Sequence, residues 1–170
     1  SETFDVAADT GSRVIAVFPG ETFTAGRQSI AQAITSSPSA QTVDSNFNVD
    51  IYVTDQFFNK VSDTVQIDVA TADPNDTDIS DASIVGSDAD SSANRIVTIN
   101  NKTATAAGIT HNLTVSADTA GFTGHTTADY TLNAAAATQT IIVLPGETHN
   151  WGQANLAAAV TGTPSTQQVD

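Results

Sequence analysis

The chain has 170 residues, no cysteine, and five Lys and Arg against 19 Asp and Glu, a formal net charge of −14. This excludes disulfide staples and thiolate chemistry, and it opposes binding to nucleic acid and to anionic membrane surfaces. The longest apolar runs, such as Ala134–Ala137 and Ile141–Leu144, fall far short of the ~20 residues that span a bilayer, so no membrane insertion is expected in this segment.

Taken in order, Ser1–Ala8 alternates around Phe4, Val6 and Ala8, the period of a half-buried strand, and Asp9–Ser12 is small and polar like a short linker. Arg13–Phe18 reads as a strand stopped by Pro19-Gly20, because proline lacks the ladder N–H and glycine permits positive φ. Phe23–Val43 reads as an extended connection, although Ile30, Ala31, Ala33 and Ile34 would also suit a short helix. Asn46–Thr54 sets Phe47, Val49, Ile51 and Val53 against Asn48, Asp50 and Tyr52, the clearest strand in the chain. After a turn at Asp55–Lys60, Thr64–Ala70 supplies Val65, Ile67 and Val69, and the two strands are expected to pair as a hairpin. An acidic loop over Thr71–Asp81 precedes a short edge strand at Ala82–Gly86. Further strands are expected at Asn94–Asn100, with Val97 and Ile99; at His111–Ala117, with Leu113 and Val115; and at Thr127–Ala134, with Tyr130 and Leu132. Short alternating strands without a long helix predict an all-β chain, an immunoglobulin-like antiparallel β-sandwich.

The stretch Val17-Phe18-Pro19-Gly20-Glu21-Thr22 returns as Val143-Leu144-Pro145-Gly146-Glu147-Thr148, 126 positions later. Without a gap, residues 1–44 match residues 127–170 at 16 of 44 positions, so an internal repeat is present. The expected organisation is a closing strand of a preceding module over 1–10, one module over 11–135, and the opening strand and connection of the next module over 136–170. Each end then needs a neighbour, either a further repeat or a strand from another copy. Pro19, Gly20, Glu21 and Thr22, with Pro145, Gly146, Glu147 and Thr148, are placed at module junctions.

Asp73, Asp76, Asp78, Asp81, Asp88 and Asp90 gather hard oxygen ligands of the kind calcium takes, and clustered carboxylates repel one another without a cation. Their spacing does not match the EF-hand loop, and a solvated loop protecting a sheet edge is the competing reading. Trp151, the single tryptophan, is expected to pack on a neighbouring module or to stack on a sugar. His111, His125 and His149 lack the spacing of a metal pair. No hydrolase elbow, phosphate loop or dinucleotide fingerprint occurs, so no enzyme is expected.

The Leu-Pro-Gly-Glu-Thr strand end at Leu144–Thr148 is followed by a small-residue stretch closing in Thr163-Pro164-Ser165-Thr166-Gln167. With Val17–Thr22, Ser37–Gln41 and the Asp55–Asn59 turn in the first copy, this resembles the tandem immunoglobulin-like repeats of very large bacterial surface and secreted proteins. Phe18 and Ser37 depart from that pattern. The resemblance implies an extracellular or cell-surface rod of joined modules, partnered by neighbouring copies, with a structural role. An adhesin module holding a glycan or protein through its loops is the alternative, since such modules share a frame and vary their loops.

Overall fold

Two antiparallel sheets face each other, and the apolar sides dictated by period-two alternation meet between them. The computed structural model describes residues 7–76, 82–84, 95–105 and 108–166, with 82–84 and 95 as backbone. The elements are β1 (Arg13–Val17), β2 (Thr22–Phe23), α1 (Ile30–Ala33), β3 (Ile34–Thr35), β4 (Gln41–Thr42), β5 (Phe47–Thr54), β6 (Val65–Thr71) and β7 (Ala82–Ile84). They are followed by β8 (Arg95–Ile99), β9 (Leu113–Ala117), β10 (His125–Thr126), β11 (Leu132–Asn133), β12 (Glu147–His149), α2 (Leu156–Ala159) and β13 (Val160–Gly162). One sheet has the order β1-β5-β8 and the other β10-β9-β6-β7. The chain is therefore all-β, with two single-turn helices among the described residues.

Val14, Ala16, Phe18, Val49, Ile51, Val53, Val97 and Ile99 from the first sheet close against Val65, Ile67, Val69, Leu113 and Val115 from the second. The core residues anticipated from alternation between Phe47 and Leu132 are buried, including Tyr130 and Leu132. Each such aliphatic side chain contributes roughly 1.5–3 kcal/mol when fully buried. Tyr130 stacks on Phe18 at 4.3 Å between ring centroids and donates its hydroxyl to Asn101 Oδ1 at 2.6 Å, which satisfies the one polar atom it carries inward.

β5 and β6 do not form the expected hairpin: β5 pairs with β1 and β8, and β6 with β7 and β9. Alternation reports which face a residue occupies and says nothing of its partner strand. The turn between them supplies the reason. Asp55 accepts hydrogen bonds from the amides of Asp9, Phe57 and Asn59 and from Asn59 Nδ2. Val61 N then donates to Val53 O, folding the chain back on β5 before it crosses to the opposite sheet. Phe58 takes φ 62° in this turn, a conformation costing about 1–2 kcal/mol for a residue with a Cβ. Burial of its ring offsets that cost. With Ile15, Val17, Ala33 and Tyr52 it forms a second cluster on the outer face of the first sheet, flanked by Phe23 and Ile34.

The Phe23–Val43 connection is more ordered than its reading as an extended segment. Ala33 N donates to Ser29 O across the single turn of α1, and β2 pairs with β3 around it. The closing strand over Thr127–Ala134 is shorter than expected: β11 covers two residues and runs parallel to β4. Of the strand expected over Ser1–Ala8 as the close of a preceding module, residues 1–6 lie outside the described residues, and Ala7 and Ala8 are exposed and outside any strand.

The second copy repeats the local structure of the first at the same shift of 126. Thr24 N to Ala33 O recurs as Asn150 N to Ala159 O, both 2.8 Å, and α2 with β12 and β13 restates α1 with β2 and β3. The opening strand expected within 136–170 differs: Gln139–Leu144, the counterpart of Arg13–Phe18, has no β-partner among the described residues, whereas β1 pairs with β5.

Candidate functional site

The Pro-Gly-Glu-Thr turn is built identically in both copies. Gly20 and Gly146 sit at φ 94° and 92°, where a side chain is strained, and a Cβ on Gly20 would lie 2.8 Å from Ser39 N and 2.9 Å from Ser37 O. Proline's carbonyl is the fastening point: Pro19 O accepts from Ser39 N and Oγ, and Pro145 O from Ser165 N and Oγ. Glu21 accepts from Phe18 N at 2.8 Å, as Glu147 does from Leu144 N. Burial raises the Glu21 carboxyl above the ordinary glutamate range, against the opposing pull of that hydrogen bond. These bonds of Pro19–Thr22 and Pro145–Thr148 run inside their own copies.

Contact between the copies comes from the next loop, Trp151–Gln153. Asn75 Nδ2 donates to Trp151 O at 3.1 Å and to Thr103 Oγ1 at 2.9 Å, and Gln153 Nε2 donates to Asn75 Oδ1 at 2.7 Å. Gly152, at φ 72°, lets the loop approach this closely, since a Cβ there would fall 2.2 Å from Thr103 Oγ1. In the first copy the equivalent loop instead lies on the Asp55–Asn59 turn, with Arg27 N donating to Phe57 O. Beside the contact is an open cleft of about 750 Å³ bordered by Val43, Asp44, Asp76, Lys102, Thr138 and Gln153. Lys102 pairs with Asp44 there and holds its carboxyl below the usual range. The Trp151 ring is not the anchor. Trp151 is 53% exposed and its ring is tilted against His149 at 4.8 Å, so its backbone carbonyl, not the indole, makes the contact with Asn75.

Of the acidic residues, Asp73 and Asp76 lie beside the Asn75 contact, whereas Asp78, Asp81, Asp88 and Asp90 lie outside the described residues. Asp73 is buried, not solvated. It accepts from the amides of Asn75 (3.0 Å), Lys102 (2.6 Å) and Thr103 (2.8 Å), fastening the loop after β6 to the segment after β8. Burial alone would raise this carboxyl, and the amide bonds outweigh it and hold it below the ordinary aspartate range. Asp76 accepts from Thr71 Oγ1 and Asn101 Nδ2. Among the described residues no three His, Asp or Glu side chains converge as metal ligands. The contact of Asn75 and Thr103 with the Trp151–Gln153 loop has no spacing signal in the sequence, since Asn and Thr are common in polar loops; the Asp-x-Asn turn at Asp73–Asn75 is the one available cue.

The second copy also presents an apolar face. Ile142 and Leu144 are 78% and 47% exposed, whereas Phe18, the counterpart of Leu144, is 1% exposed beneath Tyr130 and Phe47. Leu156, Ala157 and Val160 complete a groove of about 350 Å³ with these two residues and Glu147. No protein-family model matches this sequence, and no curated protein matches it.

Proposed function

We propose that the chain is a structural repeat of a long extracellular filament or surface fibre, whose modules join end to end. The carrying observation is the uncovered Ile142–Leu144 segment, whose counterpart one period earlier lies between β5 and the second sheet. An exposed apolar segment of this kind calls for the strands of a module to be laid on it. Recurrence of the same hydrogen bonds at a shift of 126 supports a tandem series over a chance likeness. The order β1-β5-β8 opposite β10-β9-β6-β7 supports an immunoglobulin-like assignment for each module, and the Asn75 contact with Trp151–Gln153 supplies a polar tie between successive modules. The role is non-catalytic: the junction works by positioning one module against the next. Recombinant proteins carrying one, two and three periods test this by small-angle scattering. A maximum dimension growing by a constant step per period is the expected result, and compaction of the three-period protein to a globule refutes it.

A further inference from the structure

At the end of the sandwich away from the Asn75 contact, a half-open cavity of about 110 Å³ is lined by Arg13, Ile15, Ile30, Phe58, Thr123, Gly124 and His125. Its polar members are all hydrogen-bond donors or neutral, and no carboxylate lines it. Arg13 is stacked over the Phe58 ring at 5.1 Å and has no acidic partner among the described residues, in a chain carrying 14 excess negative charges. Its Nε is buried without a hydrogen bond. An orphaned buried donor is costly, so a group that accepts from it is favoured. His125 Nδ1 accepts from Ala16 N at 3.2 Å, which assigns the ring proton to Nε2 and makes that nitrogen a further donor.

We infer that this cavity is a binding site for a small carboxylate. The guanidinium offers the planar fork that fits two carboxylate oxygens, and Ile15, Ile30 and Phe58 offer apolar walls for a short alkyl group. The volume holds roughly three to four waters, the size of a two- or three-carbon acid. The chain's overall negative charge does not prevent this, because at physiological ionic strength it is screened beyond about 8 Å and the adjacent guanidinium decides the local field. The same chemistry is offered by a free carboxylic acid and by an exposed Asp or Glu side chain of a second copy.

Propionate is the probe, added to the whole 170-residue protein while the amide resonances of Thr123, Gly124 and His125 are followed. Saturable shifts with propionate, absent with propionamide and with chloride at equal ionic strength, are expected. Arg13→Gln, which installs the residue found at the equivalent Gln139, is expected to weaken binding about tenfold or more through loss of a charge-assisted bond. Arg13→Lys keeps the charge without the fork and is expected to fall between the two, providing a folded comparison should the glutamine variant not fold. Dilution without propionate separates the sources: reversal of the same shifts assigns a carboxylate of a second copy, and their constancy assigns a free acid. Propionate shifts no larger than those with chloride, or equal binding by wild type and a folded Arg13 variant, overturn the assignment.

Discussion

Replacing Asp73 by Asn removes one charge and one acceptor oxygen from a site that is 5% exposed and receives three backbone amides. The remaining amide oxygen can serve at most part of that set, and the new NH2 group is aimed at N–H donors that have nowhere else to go. Hydrogen bonds to charged groups are worth about 1.5–3 kcal/mol each and a buried donor left unpaired costs about 1–3 kcal/mol, so a loss of about 2–4 kcal/mol is expected at neutral pH. For a domain of this size that corresponds to a fall in Tm of about 5–15 °C. The sign with pH follows from the depressed folded-state carboxyl. A carboxylate held low in the folded state stabilises fully above its unfolded value near 3.9, and the benefit is lost as pH falls through the folded value. Urea unfolding of wild type and Asp73→Asn at pH 7 and at successively lower pH below 4 should therefore show a gap that narrows with acid. A variant as stable as wild type at pH 7, or a gap that persists unchanged in acid, refutes the reasoning.

Gly20→Ala should destabilise global unfolding by about 1–3 kcal/mol, since φ 94° and contacts under 3 Å with Ser37 O and Ser39 N leave no room. Gly146→Ala meets the same local clash but should hardly shift the main urea transition, because its strand is not paired into the core. Asn75→Ala should leave the melting of the sandwich within about 0.5 kcal/mol, as surface changes do, yet free the Trp151–Gln153 loop, read as lower fluorescence anisotropy of the single tryptophan. Leu113→Ala, at the centre of the core, should cost about 2–5 kcal/mol in urea. The calcium expectation for Asp73–Asp90 is checked by melts with calcium and with a chelator: a rise of several degrees with calcium supports it, and identical melts count against it.

Alternation made the core legible because strands buried on one face must repeat every second residue, and Phe47–Val53, Val65–Val69, Val97–Ile99 and Leu113–Val115 all do so. It could not tell that β5 and β6 lie in opposite sheets, since that choice rests on Asp55 gathering the amides of its turn. Phe58 was hidden for a related reason: its burial depends on a positive φ in a turn and on a helix of one turn, neither of which has a period. The duplication pointed to the Pro-Gly-Glu-Thr turns, whose hydrogen bonds run within each copy. The contact residues Asn75 and Thr103 belong to loops and meet Gly152 and Gln153 only through tertiary packing.

The joining of modules is tested most directly by completing the second copy. Because Asp170 is the counterpart of Asp44, appending a second copy of residues 45–135 after Asp170 offers Gln139–Leu144 the equivalents of the strands that β1 meets in the first copy. Native-state hydrogen exchange of the Ile141, Ile142 and Val143 amides is then compared between the 170-residue protein and the extended one. The account predicts that these amides slow by about a hundredfold or more, approaching those of Ile15, Ala16 and Val17, as a fraying strand becomes part of a core. A soluble, folded extended protein in which they still exchange as freely as before contradicts it.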